Sequence, residues 1–184
     1  LKKKKIYDNN YLITKNLIDY FSKNKPNKKL IIIGSSQMYR SNIKRIDLKT
    51  NFKPINSYAK FRADSFNYMV KSKKKYRSNI VMAVLFNHDS IYRNKKFLIP
   101  RLVKMVKNKQ YKKLNEIFKV NIIGDFSHAE DICCGLFKLI SIKKNIDKLI
   151  FSSNKKTSIN DVIKFLLKKN KIKKNFKLKI FRAQ

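Results

Sequence analysis

Three short polar clusters hold the side chains able to do chemistry. They are Gly34-Ser35-Ser36-Gln37-Met38-Tyr39, Ser57-Tyr58-Ala59-Lys60-Phe61-Arg62 and Phe86-Asn87-His88-Asp89-Ser90. The second matters most. Residues at i and i+4 share one face of a helix, so Arg62 can place positive charge beside the Tyr58 hydroxyl and favour the deprotonated phenol that a general base needs. The same pair is also an ordinary pairing on any helix surface. Ser35 and Ser36 offer hydroxyls after an apolar run, where they equally serve to cap it. His88 reads either as a ligand contact or as a hydrogen-bonded loop residue, and His128 with Asp131 reads as a brace at a helix start. No His or Cys cluster has metal-ligand spacing, so no metal site is expected.

The elements that must position these clusters follow from hydrophobic periodicity. Tyr11, Leu12, Leu17, Ile18 and Phe21 recur at helical spacing, giving a helix over 9–22 with Pro26 beyond it. Leu30 to Ile33 is a β-branched apolar run, the pattern of a buried strand that empties into the first cluster. A polar loop over 40–56 is long enough to suggest a functional role. A helix over 57–75 opens on Tyr58, and a second buried strand over 80–86 leads into the third cluster. Beyond a polar segment, 87–96, the sequence predicts a helix over 99–109 and a strand near 120–123. Then come a helix over 129–142, a strand over 149–152, a helix over 159–169 and a last strand over 176–181. Alternating helices and buried strands predict an α/β fold on a mostly parallel sheet. Ligands of such sheets sit at the carboxyl ends of the strands, where the first and third clusters fall.

Composition restricts the alternatives. The 184 residues carry a formal net charge of +35, yet 43% are hydrophobic, which is too apolar for a disordered polycation. Of the 46 basic residues 39 are lysine, whereas phosphate and base recognition favours the arginine fork. Lysine, asparagine and isoleucine together number 83, the signature of AT-rich coding, so most of the excess reads as solvated surface and no specific nucleic-acid partner is expected. Cys133 and Cys134 are adjacent inside an apolar helical pattern and read as reduced, structural residues. No apolar run is long enough for a membrane span and no signal peptide opens the chain, so no membrane partner and a cytoplasmic location are expected. One partial domain over 1–184 is expected.

The order of strand, Ser-rich loop ending in Tyr39, long loop, Tyr58-x-x-x-Arg62 helix and strand resembles the extended short-chain dehydrogenases/reductases, the NAD-dependent epimerase/dehydratase family. Phe86-Asn87-His88-Asp89-Ser90, followed by Arg93 and Phe97, is similar to the Phe-Asn-His-Glu-Ser stretch of GDP-mannose 4,6-dehydratases. Asp125-Phe126-Ser127-His128-Ala129-Glu130-Asp131 resembles their Asp-Trp-Gly-His-Ala-x-Asp. The likeness runs from about Asn9 to Lys169. It implies a Rossmann-like sheet with flanking helices, missing its first strands, with part of a C-terminal substrate-binding region. It also implies NADP, or NAD, as cofactor, a nucleotide sugar such as GDP-mannose as substrate, and a homo-oligomer at full length. In that chemistry a hydride leaves C4 of the sugar, water is lost across C5 and C6, and the hydride returns to C6.

Carried over by position, Ser35 would hydrogen-bond the reacting oxygen and Tyr58 would take the C4 hydroxyl proton. Arg62 stands in the place of the family's Lys beside that Tyr, which also holds the nicotinamide ribose. His88 and Arg93 match cofactor contacts, Asn87 a substrate contact, and Arg101 lies close to a basic substrate-binding position. Gln37 replaces the family's catalytic Glu and cannot accept the C5 proton, so elimination is in question while C4 oxidation is not. Gly124 stands where the family has an Arg. With only three glycines, Gly34, Gly124 and Gly135, the chain has no Gly-rich phosphate loop, and by itself it is expected to be inactive. Two other readings stay open: a non-catalytic, 4-epimerase or reductase relative, and a basic nucleic-acid-binding module.

Overall fold

The structure is a computed structural model that describes residues 2–40, 43, 45–120 and 122–172. The strand expected over 176–181 lies outside the described residues. The chain divides into two compact units, residues 1–86 with 131–151, and residues 87–130 with 152–184.

The first unit is built on a parallel sheet of order β1-β2-β3, formed by β1 (Leu30–Ser35), β2 (Ile80–Leu85) and β3 (Lys148–Phe151). In register, Leu30 faces Ile80 and Ser35 faces Leu85, while Met82 faces Lys148 and Leu85 faces Phe151. The period of two sorts the side chains cleanly. Ile32, Ile80, Met82, Val84 and Ile150 point into a core shared with Ile18 of α1 (Lys2–Asn24) and with Ala63 and Met69 of α2 (Ser57–Tyr76). Ile31, Ile33, Val81, Ala83, Leu149 and Phe151 point the other way, onto Leu136 and Leu139 of α3 (Ala129–Ser141). Both faces of β2 are therefore covered, which explains its unbroken Ile-Val-Met-Ala-Val-Leu sequence. Gly135 sits where a Cβ would come within 2.6 Å of the Phe151 ring, so its missing side chain lets α3 approach the sheet.

The second unit packs α4 (Leu98–Lys107), α5 (Tyr111–Lys119) and α6 (Ile159–Lys169) around Leu102, Val106, Leu114, Phe118, Ile159 and Ile163. Two small ladders accompany them. β4 (Asn87–Asp89) pairs in parallel with β5 (Phe126–His128), and β6 (Ile123–Gly124) pairs antiparallel with β7 (Thr157–Ser158).

The long elements match expectation to within a residue or two, except that α1 starts seven residues earlier than the expected Asn9. The polar segment from Asn87 to Lys96 opens with β4 (Asn87–Asp89). One helix is expected over 99–109, but α4 ends at Lys107, Lys109 takes a left-handed backbone (φ 54°), and α5 follows. The strand expected near 120–123 begins only at its last residue, over Ile123–Gly124, and Val120 instead caps α5.

Candidate functional site

In the first unit Ser35 closes β1 and caps a short 3-10 turn, Ser36–Met38. Its Oγ accepts the Gln37 N–H at 3.2 Å. A hydroxyl has one proton and two lone pairs, so this leaves the Ser35 O–H free to donate. Gln37 is exposed, and its Oε1 accepts a hydrogen bond from Asn56 Nδ2 at 3.3 Å. Asn56 also caps α2, its Oδ1 accepting the Ala59 N–H at 2.8 Å. One side chain thus ties the turn carrying Gln37 to the helix start carrying Tyr58.

Tyr58 lies in the first turn of α2 and is 44% exposed. Its ring meets Phe61 edge-on, with centroids 5.4 Å apart. The Arg62 guanidinium lies 5.4 Å from the Tyr58 centroid and 4.8 Å from that of Phe61. Arg62 Nη1 donates to the Ile33 carbonyl of β1 at 2.5 Å, pinning α2 to the sheet beside Ser35. Its Nε is buried with no partner among the described residues. Arg62 is therefore a fixed cation against the ring of a partly exposed tyrosine, and it keeps donors beyond the one given to Ile33. That set fits a hydroxyl-rich ligand such as the ribose of a nicotinamide nucleotide.

The long loop ending at Asn56 is anchored at its other end by Tyr39, which the sequence marks only as the end of the Ser-rich cluster. Its ring packs on Phe52 at 5.0 Å, and Phe52 packs on Phe66 of α2 at 5.1 Å. The Lys148 ammonium lies 4.6 Å from the Phe52 centroid and donates to the Thr50 carbonyl at 3.4 Å. Burial holds the Lys148 amine below the usual lysine range. Burial, with the Asp47 charge adding to it, pushes the Tyr39 phenol up to about 12.

Asn87, His88, Arg93 and Arg101 belong to the second unit. Asn87 opens β4 and is exposed. The His88 carbonyl accepts Arg93 Nη1 at 3.2 Å, and the Arg93 guanidinium stacks 3.8 Å from the Phe97 centroid. Arg93 Nε, like that of Arg62, is buried without a partner among the described residues. Arg101 is exposed on α4. Gly124 does more than omit an arginine: a Cβ there would meet the Phe126 ring at 3.0 Å and Asn87 Nδ2 at 3.2 Å, so a side chain would displace Asn87. His128 acts as the expected helix-start brace, though with Glu130 in place of Asp131. Its Nδ1 accepts the Glu130 N–H at 3.3 Å. Cys133 and Cys134 are free and exposed. Among the described residues no group of three His, Cys, Asp or Glu could hold a metal, and no helix is long and apolar enough to cross a membrane.

A family model described as GDP-mannose 4,6 dehydratase matches residues 2–181. Among solved structures, dTDP-glucose 4,6-dehydratase from Bacillus anthracis, in complex with NAD, superposes with a TM-score of 0.80 at 17% identity, covering 92% of this chain and 55% of that one. UDP-glucuronic acid 4-epimerase from Bacillus cereus, in complex with UDP-glucuronic acid and NAD, gives 0.76 at 19% identity, covering 89% and 52%. UDP-N-acetylglucosamine 4-epimerase from Methanobrevibacter ruminantium, in complex with UDP-N-acetylmuramic acid, gives 0.75 at 17% identity, covering 93% and 55%. The chain thus shares the Rossmann-type fold of these proteins and spans about half their length. No curated protein matches it.

Proposed function

The chain belongs to the GDP-mannose 4,6-dehydratase family, and from that premise we propose that the protein is a nucleotide-sugar dehydratase or epimerase that oxidises C4 of its sugar. The observation that supports this reading is Arg62, fixed to the carboxyl end of β1 beside Ser35 and lying against the ring of the partly exposed Tyr58. Tyr58 takes the proton of the C4 hydroxyl and Arg62 offsets the charge that the phenolate bears. Ser35 keeps its proton and donates a hydrogen bond to the reacting oxygen. A bound nicotinamide supplies the acceptor for the C4 hydride. Arg62 holds its ribose, and His88 and Arg93 are its further contacts. We take NADP as the cofactor, with NAD as the alternative. GDP-mannose or a related sugar is the substrate, with Asn87 and Arg101 as its contacts. Chain association and a cytoplasmic site of action belong to the same proposal, and the activity is proposed for the whole protein.

Gln37 favours a second reading of the outcome. A carboxamide cannot accept the C5 proton, so oxidation at C4 would proceed to epimerisation or reduction without loss of water. Product analysis with GDP-mannose separates the two, because elimination yields a sugar lighter by one water and epimerisation preserves the mass. A dehydrated product at ordinary rates would remove the second reading. Tyr58→Phe is expected to lower turnover by about a hundred- to ten-thousand-fold while leaving the unfolding midpoint almost unchanged, since the hydroxyl is on an exposed residue. Unchanged turnover in that variant would take Tyr58 out of the mechanism.

A further inference from the structure

At the amino-terminal edge of the β1-β2-β3 sheet, the end opposite Ser35, the first unit contains a cavity of about 610 Å³. That size lies within the roughly 300–1,000 Å³ of small-molecule clefts. Its wall carries four cations, Lys73, Lys74, Arg77 and Lys143, against one carboxylate, Asp147, over an apolar contact from Val70. Asp147 is already engaged: Lys73 Nζ pairs with its Oδ1 at 3.0 Å and donates to the Ile146 carbonyl at 2.6 Å. Lys74, Arg77 and Lys143 are exposed and have no acidic partner among the described residues. The carboxyl end of α2 adds about half a negative charge there, which three whole positive charges outweigh. Arg77 ends α2 in a left-handed backbone (φ 51°), a position that glycine fills with less strain. Its N–H still closes the helix onto the Lys73 carbonyl, and Arg77 is one of the residues lining the cavity.

We propose that this cavity binds an oligophosphate, a linear chain of phosphate groups that is either free or carried by a nucleotide. Three clustered cations suit a ligand with several adjacent negative charges, and the arginine fork suits phosphate oxygens. A concave pocket of this size suits a short chain better than a duplex, whose recognition uses an extended basic stripe. Lys112 and Lys113 of α5 are exposed lysines that do not line this cavity, and they serve as the control for the general lysine excess of the sequence.

Calorimetric titration with sodium tripolyphosphate at roughly physiological salt tests the site. One ion per chain is expected, with Arg77→Gln/Lys143→Gln weakening it about tenfold or more and Lys112→Gln/Lys113→Gln leaving it unchanged. Several ions per chain, or equal weakening by the two double variants, would mean diffuse surface attraction and overturn the proposal. ATP that binds at least as well, with loss in the same variant, identifies a nucleotide as a source of the phosphate chain. Binding of ATP without tripolyphosphate overturns it, as does a DNA duplex that binds more tightly than tripolyphosphate and loses that binding in Arg77→Gln/Lys143→Gln protein. Tyr58→Phe protein is expected to keep the site intact, so this result stands apart from the proposed reaction.

Discussion

The two ends of the Asn56 side chain do different work. Oδ1 caps α2 through the Ala59 N–H, and Nδ2 holds the Gln37 carboxamide. Substitution can separate the two contributions. Asn56→Asp keeps an oxygen for the cap, in a position where the helix dipole favours a negative charge, but it cannot donate to Gln37 Oε1. Asn56→Ala loses both contacts. The alanine variant is expected to lose about 1 kcal/mol of stability, while the aspartate variant keeps stability and lowers turnover by turning the Gln37 carboxamide round, so that its NH2 donates to the new carboxylate. Chemical denaturation and a product assay read the two effects separately. If Asn56→Asp turns over like the parent, the tether to Gln37 is structural only. In the sequence Tyr58 and Arg62 are proposed from their types and spacing, and Ser35 and Gln37 from the family resemblance. Neither route reaches Asn56, whose role exists only once the loop brings positions 37 and 56 together.

Among the elements, the loop between β1 and α2 is held by aromatic packing and a desolvated lysine, and a buried hydroxyl opposes that packing. Tyr39 is 3% exposed and its Oη has no partner among the described residues. An unsatisfied buried hydroxyl costs about 1–3 kcal/mol, so Tyr39→Phe is expected to stabilise the protein by about 1 kcal/mol. The pH dependence gives an independent check. Tyr39 is raised from 10.0 to about 12, so its neutral form contributes stability that is complete below pH 10 and lost as pH rises through about 12. Lys148 has the opposite sign. Its lowered value means that the penalty of burying the ammonium is relieved as pH rises toward the ordinary lysine range. Unfolding curves from pH 9 upward should therefore show the alkaline loss in the parent reduced in Tyr39→Phe. Superimposable curves would reject buried Tyr39 as its source. The flanking strands and helices are legible in the sequence because each buries a repeating apolar pattern. β4, β5, β6 and β7, of two or three residues each, have no such pattern and are defined by their partners. The turn at Lys109 is equally silent, because a lysine with positive φ carries no sequence signal.

For the whole molecule, charge and apolar surface act against each other. A net charge of +35 repels like chains, yet α1 leaves Leu12, Ile13, Leu17 and Tyr20 exposed, Ile13 by 62%. Ile13, Leu17 and Tyr20 fall at i, i+4 and i+7, one stripe of the helix, while Ile18 of the same helix is fully buried in the core. Grouped apolar side chains on one helix face mark an association surface more often than scattered ones do. If that stripe is where two copies of the chain associate, salt should strengthen the association, because screening weakens the repulsion and leaves the apolar contact intact. Sedimentation velocity at about 0.05 and about 0.5 M salt is expected to show a larger oligomeric fraction at the higher value. Ile13→Glu/Leu17→Glu should sediment as a monomer at both, with an unchanged far-ultraviolet spectrum because neither side chain is buried. A parent chain that is monomeric at both salt concentrations would reject self-association through α1. Association that weakens with salt would instead place the contact on charged surface, since an apolar interface has no attraction for added ions to screen.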